Sequence, residues 1–228
     1  MLDDRKKEIF DLLCQKKQMS VTALAKTFYV SKMTVRRDLA ELESQGYLKR
    51  YRGGAMVITE DEILPIDQRI LRDEDEKRKL AQLAAQHLRS HQSVYIDSSS
   101  TCQYIIPHIK KLEQVKIITN SIPTLLTATK FHIPCFLLGG EYYPLDKCFL
   151  GAATEQYGEN INTDVAFFSS RGISHEGIIS DSNLEQNTLR RRMMKNAKKT
   201  VFLFEKEKIG KVFLHTLCRA EDVDILVM

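Results

Sequence analysis

The chain has 228 residues, of which 43% are hydrophobic, and a formal net charge of +4. That mixture excludes an intrinsically disordered chain. The absence of any apolar run near ~18 residues excludes a membrane-spanning helix. Met1-Leu2-Asp3-Asp4-Arg5 does not read as a signal peptide, which gives the expectation of a cytoplasmic protein with no membrane partner.

The charge is unevenly placed. Residues 1–58 hold 12 Lys/Arg against 7 Asp/Glu, or +5, and residues 59–228 hold 22 against 23, or −1. A basic quarter on a neutral body is the pattern of a small nucleic-acid-binding module. Cys14, Cys102, Cys135, Cys148 and Cys218 form no CxxC pair, and the six histidines lack metal-ligand spacing. Reduced thiols, no metal site and no cofactor are expected. Cys102 lies beside a candidate site loop, where a redox role competes with an ordinary buried thiol.

Asp3 or Asp4 can cap a first helix running to about Lys17, with Ile9, Leu12 and Leu13 as its core stripe. Ser20 can cap a second, Val21 to about Phe28, with Val21, Leu24, Ala25 and Phe28 inward. Tyr29-Val30 is a tight turn. A third helix runs from Ser31 to about Gln45 and stops at Gly46. Val35, Leu39 and Leu42 share its core face at i, i+4, i+7. At about 100° per residue Met33 and Arg37 face away, with Thr34, Arg36 and Ala40 on the flanks. Two helices joined by a short turn make a helix-turn-helix whose second helix enters the DNA major groove. The competing reading is a solvated surface helix. Tyr47–Tyr51 alternates as a strand, Arg52-Gly53-Gly54 turns, and Ala55–Ile58 returns, which adds a wing.

These residues resemble the DNA-binding domain of the DeoR family of bacterial transcriptional regulators. The family's Ser, two variable residues, Thr, Val or Ile, Arg-Arg-Asp, Leu is matched by Ser31, Thr34, Val35, Arg36, Arg37, Asp38 and Leu39. Its basic wing and Gly-Gly-Ala are matched by Lys49, Arg50, Arg52, Gly53, Gly54 and Ala55. Chemistry assigns roles beside the resemblance. Met33 and Arg37 are candidates for base edges, Arg37 as a bidentate partner of guanine. Ser31, Lys32, Thr34 and Arg36 are candidates for phosphates, and Lys49, Arg50 and Arg52 for phosphate or minor-groove contact. Asp38 is expected to pair with a neighbouring arginine rather than touch DNA.

A polar linker is expected over 59–74, between a DNA-binding domain at 1–58 and a body at 75–228. Asp73 to about Ser90 reads as a helix with Leu80, Leu83, Ala84 and Leu88 inward, and Asp73–Lys79 as its solvated start. Strands are expected at 94–96, 115–118, 135–138, 165–168, 201–204 and 224–227, alternating with helices at 102–110, 123–130, 152–161 and 184–198. Short apolar strands between helices predict an α/β fold with a mostly parallel sheet. Arg190-Arg191-Arg192 reads as a solvated helix face.

Polar clusters follow the strands: Asp97-Ser98-Ser99-Ser100-Thr101, Thr119-Asn120-Ser121, Gly139-Gly140-Glu141, Ser169-Ser170-Arg171-Gly172 and Glu205-Lys206-Glu207-Lys208. In open α/β sheets, ligands bind at the carboxyl ends of strands. Hydroxyls entering a helix N-terminus can cradle a phosphate. Asp97, Asn120 and Glu141 can order sugar hydroxyls, while Lys208 and Arg171 neutralise phosphate. Turns and helix caps are the competing reading.

Residues from about 75 to 228 resemble the DeoR C-terminal sensor domain, similar in fold to ribose-phosphate isomerase and CoA-transferase enzymes. The resemblance implies an effector that is a phosphorylated sugar. Thr119-Asn120-Ser121, Gly139-Gly140, Gly151, Gly172-Ile173, Lys208 and Gly210 match. The family's Asp-x-Gly-Thr-Thr reads Asp97-Ser98-Ser99-Ser100-Thr101, and a Ser at a position needing positive φ costs about 1 kcal/mol. Gly-Ala-Asp-Gly-Ile reads Ser169-Ser170-Arg171-Gly172-Ile173, an acid replaced by a base. Asp-Ser-Ser-Lys reads Glu205-Lys206-Glu207-Lys208. The family's Lys near Arg190 makes that residue a weaker pocket candidate. The leading reading is a repressor of a carbohydrate operon, not an enzyme, binding double-stranded operator DNA as a homodimer or homotetramer. The alternatives are a regulator whose body only oligomerises, and an isomerase-like enzyme with an appended helix-turn-helix.

Overall fold

The computed structural model describes residues 4–16, 18–44, 47–56 and 64–228, the side chains of residues 14 and 15 excepted. The expected stop at Gly46, the caps at Asp3 and the wing residues Val57 and Ile58 lie outside those described. Two compact units divide the chain, Met1–Arg72 and Asp73–Met228.

In the first unit, α1 (Asp4–Lys16) leads to β1 (Gln18–Ser20), α2 (Val21–Thr27) and α3 (Lys32–Ser44). Then come β2 (Lys49–Tyr51), β3 (Gly54–Met56) and α4 (Ile66–Leu71). Both helix starts are built by serine caps. Ser20 Oγ accepts from the Ala23 amide at 3.1 Å, and Ser31 Oγ accepts from the Thr34 amide at 3.1 Å. Between α2 and α3, Tyr29 takes a left-handed φ of +53°, and the Val30 amide donates to Ala25 O at 3.1 Å. The core joins Ile9, Phe10, Leu13, Val21, Leu24, Val35, Leu39, Leu42, Tyr47, Leu48 and Ala55. Burying each large aliphatic contributes roughly 1.5–3 kcal/mol. Phe10 replaces Leu12 at the centre, because Leu12 is only partly buried.

The wing strands pair antiparallel, and β1 joins them in the order β1-β3-β2, a strand the sequence reading lacked. Gly54 is required by close approach. A Cβ there would lie 2.5 Å from Met19 O on the neighbouring strand and 2.4 Å from the Tyr51 hydroxyl. The stretch expected as a linker contains α4, which buries Ile66 and rests Leu71 on the first unit's core.

The second unit starts with α5 (Glu74–Ala84). It continues through β4 (Ser93–Ile96), a 3-10 turn at Cys102–Ile105, α6 (Ile106–Ile109), β5 (Lys116–Thr119), α7 (Ile122–Lys130) and β6 (Cys135–Leu137). A hairpin, β7 (Glu141–Tyr143) and β8 (Cys148–Leu150), precedes α8 (Ala152–Glu159) and β9 (Val165–Phe168). β10 (Gly172–Ile173), β11 (Ile178–Asp181), α9 (Leu184–Lys195), β12 (Thr200–Leu203), β13 (His215–Arg219) and β14 (Ile225–Val227) complete it.

Six strands form a wholly parallel sheet in the order β14-β12-β9-β4-β5-β6. Period-two alternation feeds two cores. Val94, Ile96, Ile117, Val165, Phe167, Val201 and Leu203 face α5, α6 and α7. Tyr95, Ile118, Ala166, Phe168 and Phe202 face α9 and a small antiparallel sheet, β10-β11-β13. That smaller sheet and the β7-β8 hairpin are additions to the expected fold. Leu80 and Ala84 of α5, and Leu88 just beyond it, are buried as expected, but Leu83 is 49% exposed and Ala81 takes the inward place. All six parallel strands end on one edge. The chain reverses direction across the sheet between β4 and β9, and ligands of open α/β sheets bind at such a switch point.

Candidate functional site

The first candidate surface is α3. Val35, Leu39 and Leu42 are fully buried, which turns Lys32, Met33, Arg36 and Arg37 outward. Met33 is 70% exposed. Ser31 Oγ lies 2.9 Å from Thr34 Oγ1 besides capping the helix, so these two hydroxyls order the helix start. Asp38 is 1% exposed and holds Arg5 of α1 through Nε–Oδ2 and Nη2–Oδ1 contacts of 2.8 and 3.1 Å. This acid therefore fixes α3 against α1, through an arginine 33 residues away. On the wing, Arg50 is paired with Glu43 of α3. Its Nε donates to Oε2 at 2.6 Å and its amide to Oε1 at 2.8 Å. Arg50 thus ties wing to helix, while Lys49 and Arg52 are exposed on the wing's strand and turn. Glu43 and Arg5 were not anticipated, since neither has a local partner.

The second candidate site is the carboxyl edge of the parallel sheet. Asp97, at the end of β4, is buried and central. It accepts from the Ser99 amide at 3.0 Å, the Ser169 amide at 3.2 Å and Arg190 Nε at 3.2 Å. Arg190 also donates through Nη1 to Asp181 Oδ2 at 2.9 Å, and Arg171 Nε lies 3.3 Å from Asp181 Oδ1. Burial alone would raise the Asp181 carboxyl, but the Arg190 and Arg171 guanidiniums override it and hold it below the usual range. Arg190 is 5% exposed, so it is no part of a solvated face. Its partners are acids that only tertiary folding brings near.

A second cluster lies around Glu205 at the end of β12. Glu205 is 1% exposed. One oxygen accepts from the Thr101 hydroxyl, and the other lies 2.6 Å from Lys208 Nζ. Lys208 also donates to Ser169 Oγ at 2.9 Å. Lys77 of α5, expected on a solvated helix start, is buried, and its charge acts on Glu205. Burial would raise the Glu205 carboxyl, yet Lys208 and Lys77 bring it down to about 2. Burial brings Lys77 down to about 8, against the attraction of Glu205. One signal for Lys77 was present in the sequence. It lies at i−3, i−4 and i−7 from Leu80, Ala81 and Ala84, on the core stripe.

The remaining expected residues converge on the same edge with differing freedom. Ser98 Oγ donates to Gln186 Oε1 at 2.9 Å, and Gln186 Nε2 donates to Asp146 Oδ2 at 2.7 Å. Ser99 Oγ caps the following turn by accepting from the Cys102 amide at 3.2 Å. Ser99 is not among the positive-φ residues, so no strain accompanies its replacement of glycine. Ser100 is buried beside it. Asn120 accepts from the Tyr95 hydroxyl at 3.2 Å and donates to Phe149 O at 3.0 Å, which commits both ends of its amide to the fold. Ser121 caps α7. Gly140 must be small, since a Cβ would lie 2.0 Å from Thr154 Oγ1 and 2.7 Å from Leu150 O. Gly139 opens on free space, Glu141 is exposed on β7, and Gly172 is buried against Lys211 O. Burial raises the Cys102 thiol well above its ordinary value, which leaves it protonated.

Residues 72–228 match the DeoR C-terminal sensor domain, and residues 5–61 match the DeoR-like helix-turn-helix domain. The chain belongs to the DeoR family. It is 28% identical over 226 residues to the HTH-type transcriptional regulator GolR of Listeria innocua, covering 98% of this chain and 89% of that protein. It is 28% identical over 229 residues to the lactose phosphotransferase system repressor of Staphylococcus epidermidis, covering 98% and 90%. Among solved structures, ribose 5-phosphate isomerase A of Methanocaldococcus jannaschii is similar at 18% identity and a TM-score of 0.45. That match covers 60% of this chain and 55% of the other. The DeoR chain is thus a DNA-binding transcriptional regulator rather than an enzyme. Among its described residues, no helix is long and apolar enough to cross a membrane. Two of its departures from the DeoR pattern have partners in the fold: Arg171 lies against Asp181, and Glu205 bridges Thr101 and Lys208.

Proposed function

We propose that this DeoR-family chain represses a carbohydrate-utilisation operon and is released from its operator by a phosphorylated sugar. In this reading residues 1–58 bind DNA and residues 75–228 sense the effector. Operator bases are read by Met33 and Arg37. Lys32, Arg36, Lys49 and Arg52 hold phosphates, helped by Ser31 and Thr34, and Arg50 sets the wing. The observation that carries this part is the outward turn of Lys32, Met33, Arg36 and Arg37 from a fully buried Val35-Leu39-Leu42 stripe.

The effector belongs at the switch point between β4 and β9, where hydroxyls, Lys208, Arg171 and Arg190 gather. A sugar phosphate there supplies anionic oxygens to Lys208 and the Ser98–Thr101 loop and hydroxyls to Asp97 and Glu141. Release follows if the ligand favours an arrangement of paired DNA-binding heads that misfits the two-fold operator, which calls for a homodimer or homotetramer. A relative named as the lactose phosphotransferase system repressor supports a carbohydrate-related operon as the target. Gel-shift titration of the full chain on DNA from upstream of its own gene, with hexose and pentose phosphates and the free sugars, tests this. At least tenfold weaker binding with one phosphate, and none with its free sugar, is expected. No change with any phosphate refutes the effector.

A second reading, in which the body only oligomerises, is favoured by one observation. Asp97, Asp181 and Glu205 already satisfy the cations of the edge from within.

A further inference from the structure

Glu205 makes the contacts that an anionic ligand would make. Its carboxylate accepts from Thr101, the last hydroxyl of the loop that follows β4, and pairs at 2.6 Å with Lys208. Lys208 in turn reaches Ser169 in the loop after β9, so the carboxylate stands across the switch point. The side chain is buried, and the Thr101–Glu205 contact joins segments 104 residues apart. Such a carboxylate occupies donors that a bound anion would use.

We propose that Glu205 is an internal anion that competes with the effector for Thr101 and Lys208, and so sets which ligands the sensor accepts. This rests on the switch-point reading of the effector site. A monocarboxylate offers Lys208 and Thr101 nothing that Glu205 does not already supply. A phosphate monoester carries about −1.5 to −2 charges at pH 7 and three acceptor oxygens. It can hold Thr101 and Lys208 together and displace the Glu205 carboxylate. Glu205 therefore selects for phosphorylated ligands and against sugar acids.

The test uses the full chain at constant ionic strength, with thermal unfolding read in inorganic phosphate, acetate or added chloride. Glu205→Ala leaves the cradle's cations without their carboxylate. Its phosphate concentration for half-maximal stabilisation should fall at least tenfold below that of the wild type. Acetate should stabilise this variant and leave the wild type unmoved. Glu205→Asp, which keeps the charge but shortens the reach by one methylene, gives a folded control and should lie between the two. If Glu205→Ala is poorly folded, recovery in phosphate but not in equal chloride supports the proposal. Equal responses to phosphate in wild type and variant overturn it and leave the switch-point reading standing. No response in the wild type or either variant overturns both.

Discussion

Replacing Arg190 by Met tests whether the buried charge network holds the body together. The guanidinium donates to Asp97 at 3.2 Å and Asp181 at 2.9 Å, with all three side chains almost wholly buried. Breaking a buried pair by removing one partner typically costs ~3–5 kcal/mol, because a buried charge is left uncompensated. Here two acids lose a partner, but neither is stranded. Asp97 keeps the Ser99 and Ser169 amides, and Asp181 keeps Arg171. The cost belongs at the lower end, about 3 kcal/mol, against the 5–15 kcal/mol of a whole domain. Guanidinium unfolding of the full chain, followed by circular dichroism, measures it. Adding Asp97→Asn to the Met variant removes a buried charge that has lost its cation and should restore at least ~1 kcal/mol, a coupling that distant sites do not show. A loss under ~1 kcal/mol for Arg190→Met, or purely additive losses in the double variant, would refute the network's role.

Two further outcomes follow from the same physics. The Glu205 carboxyl titrates near 4.5 when unfolded and is depressed to about 2 in the fold. Its stabilisation is therefore complete above pH ~4.5 and lost as pH falls towards 2, on the order of 3 kcal/mol. Unfolding measured from pH 6 to 2.5 should be shallower for Glu205→Gln than for the wild type, with Asp164, also held near 2, supplying part of the remaining slope. Asp38→Ala removes a charge-assisted bidentate contact to Arg5 and should cost about 1.5–3 kcal/mol in the first unit. It should also weaken operator binding, and full affinity with normal stability would show that α1 does not hold α3.

The helices of the first unit were legible because their stripes and serine caps are local signals. β1 was not, since Gln18-Met19-Ser20 shows no alternation and becomes a strand only by pairing with β3. In the body, the parallel strands were legible as apolar runs. The β10-β11-β13 sheet was not, because Gly172-Ile173, Ile178–Asp181 and His215–Arg219 mix polar and apolar residues without such a run. Polar clusters after strands pointed to one shared edge, where the fold does gather them, but not to what each side chain does there. Arg190 and Lys77 read as solvated because a charged side chain with no visible partner is expected to face water, even where, as for Lys77, it lies on the core stripe. The acids that make their burial affordable sit on other segments, Asp97 93 residues from Arg190.

The central claim is that α3 reads DNA sequence. Selection of binding sites from a random DNA pool, with the full chain and with Arg37→Ala, tests it most directly. The account predicts that the wild type enriches a two-fold site containing guanine at matched positions. The Arg37→Ala protein, equally folded, should retain only weak, salt-sensitive binding without that guanine preference. Enrichment of the same site with the same affinity by Arg37→Ala would contradict it.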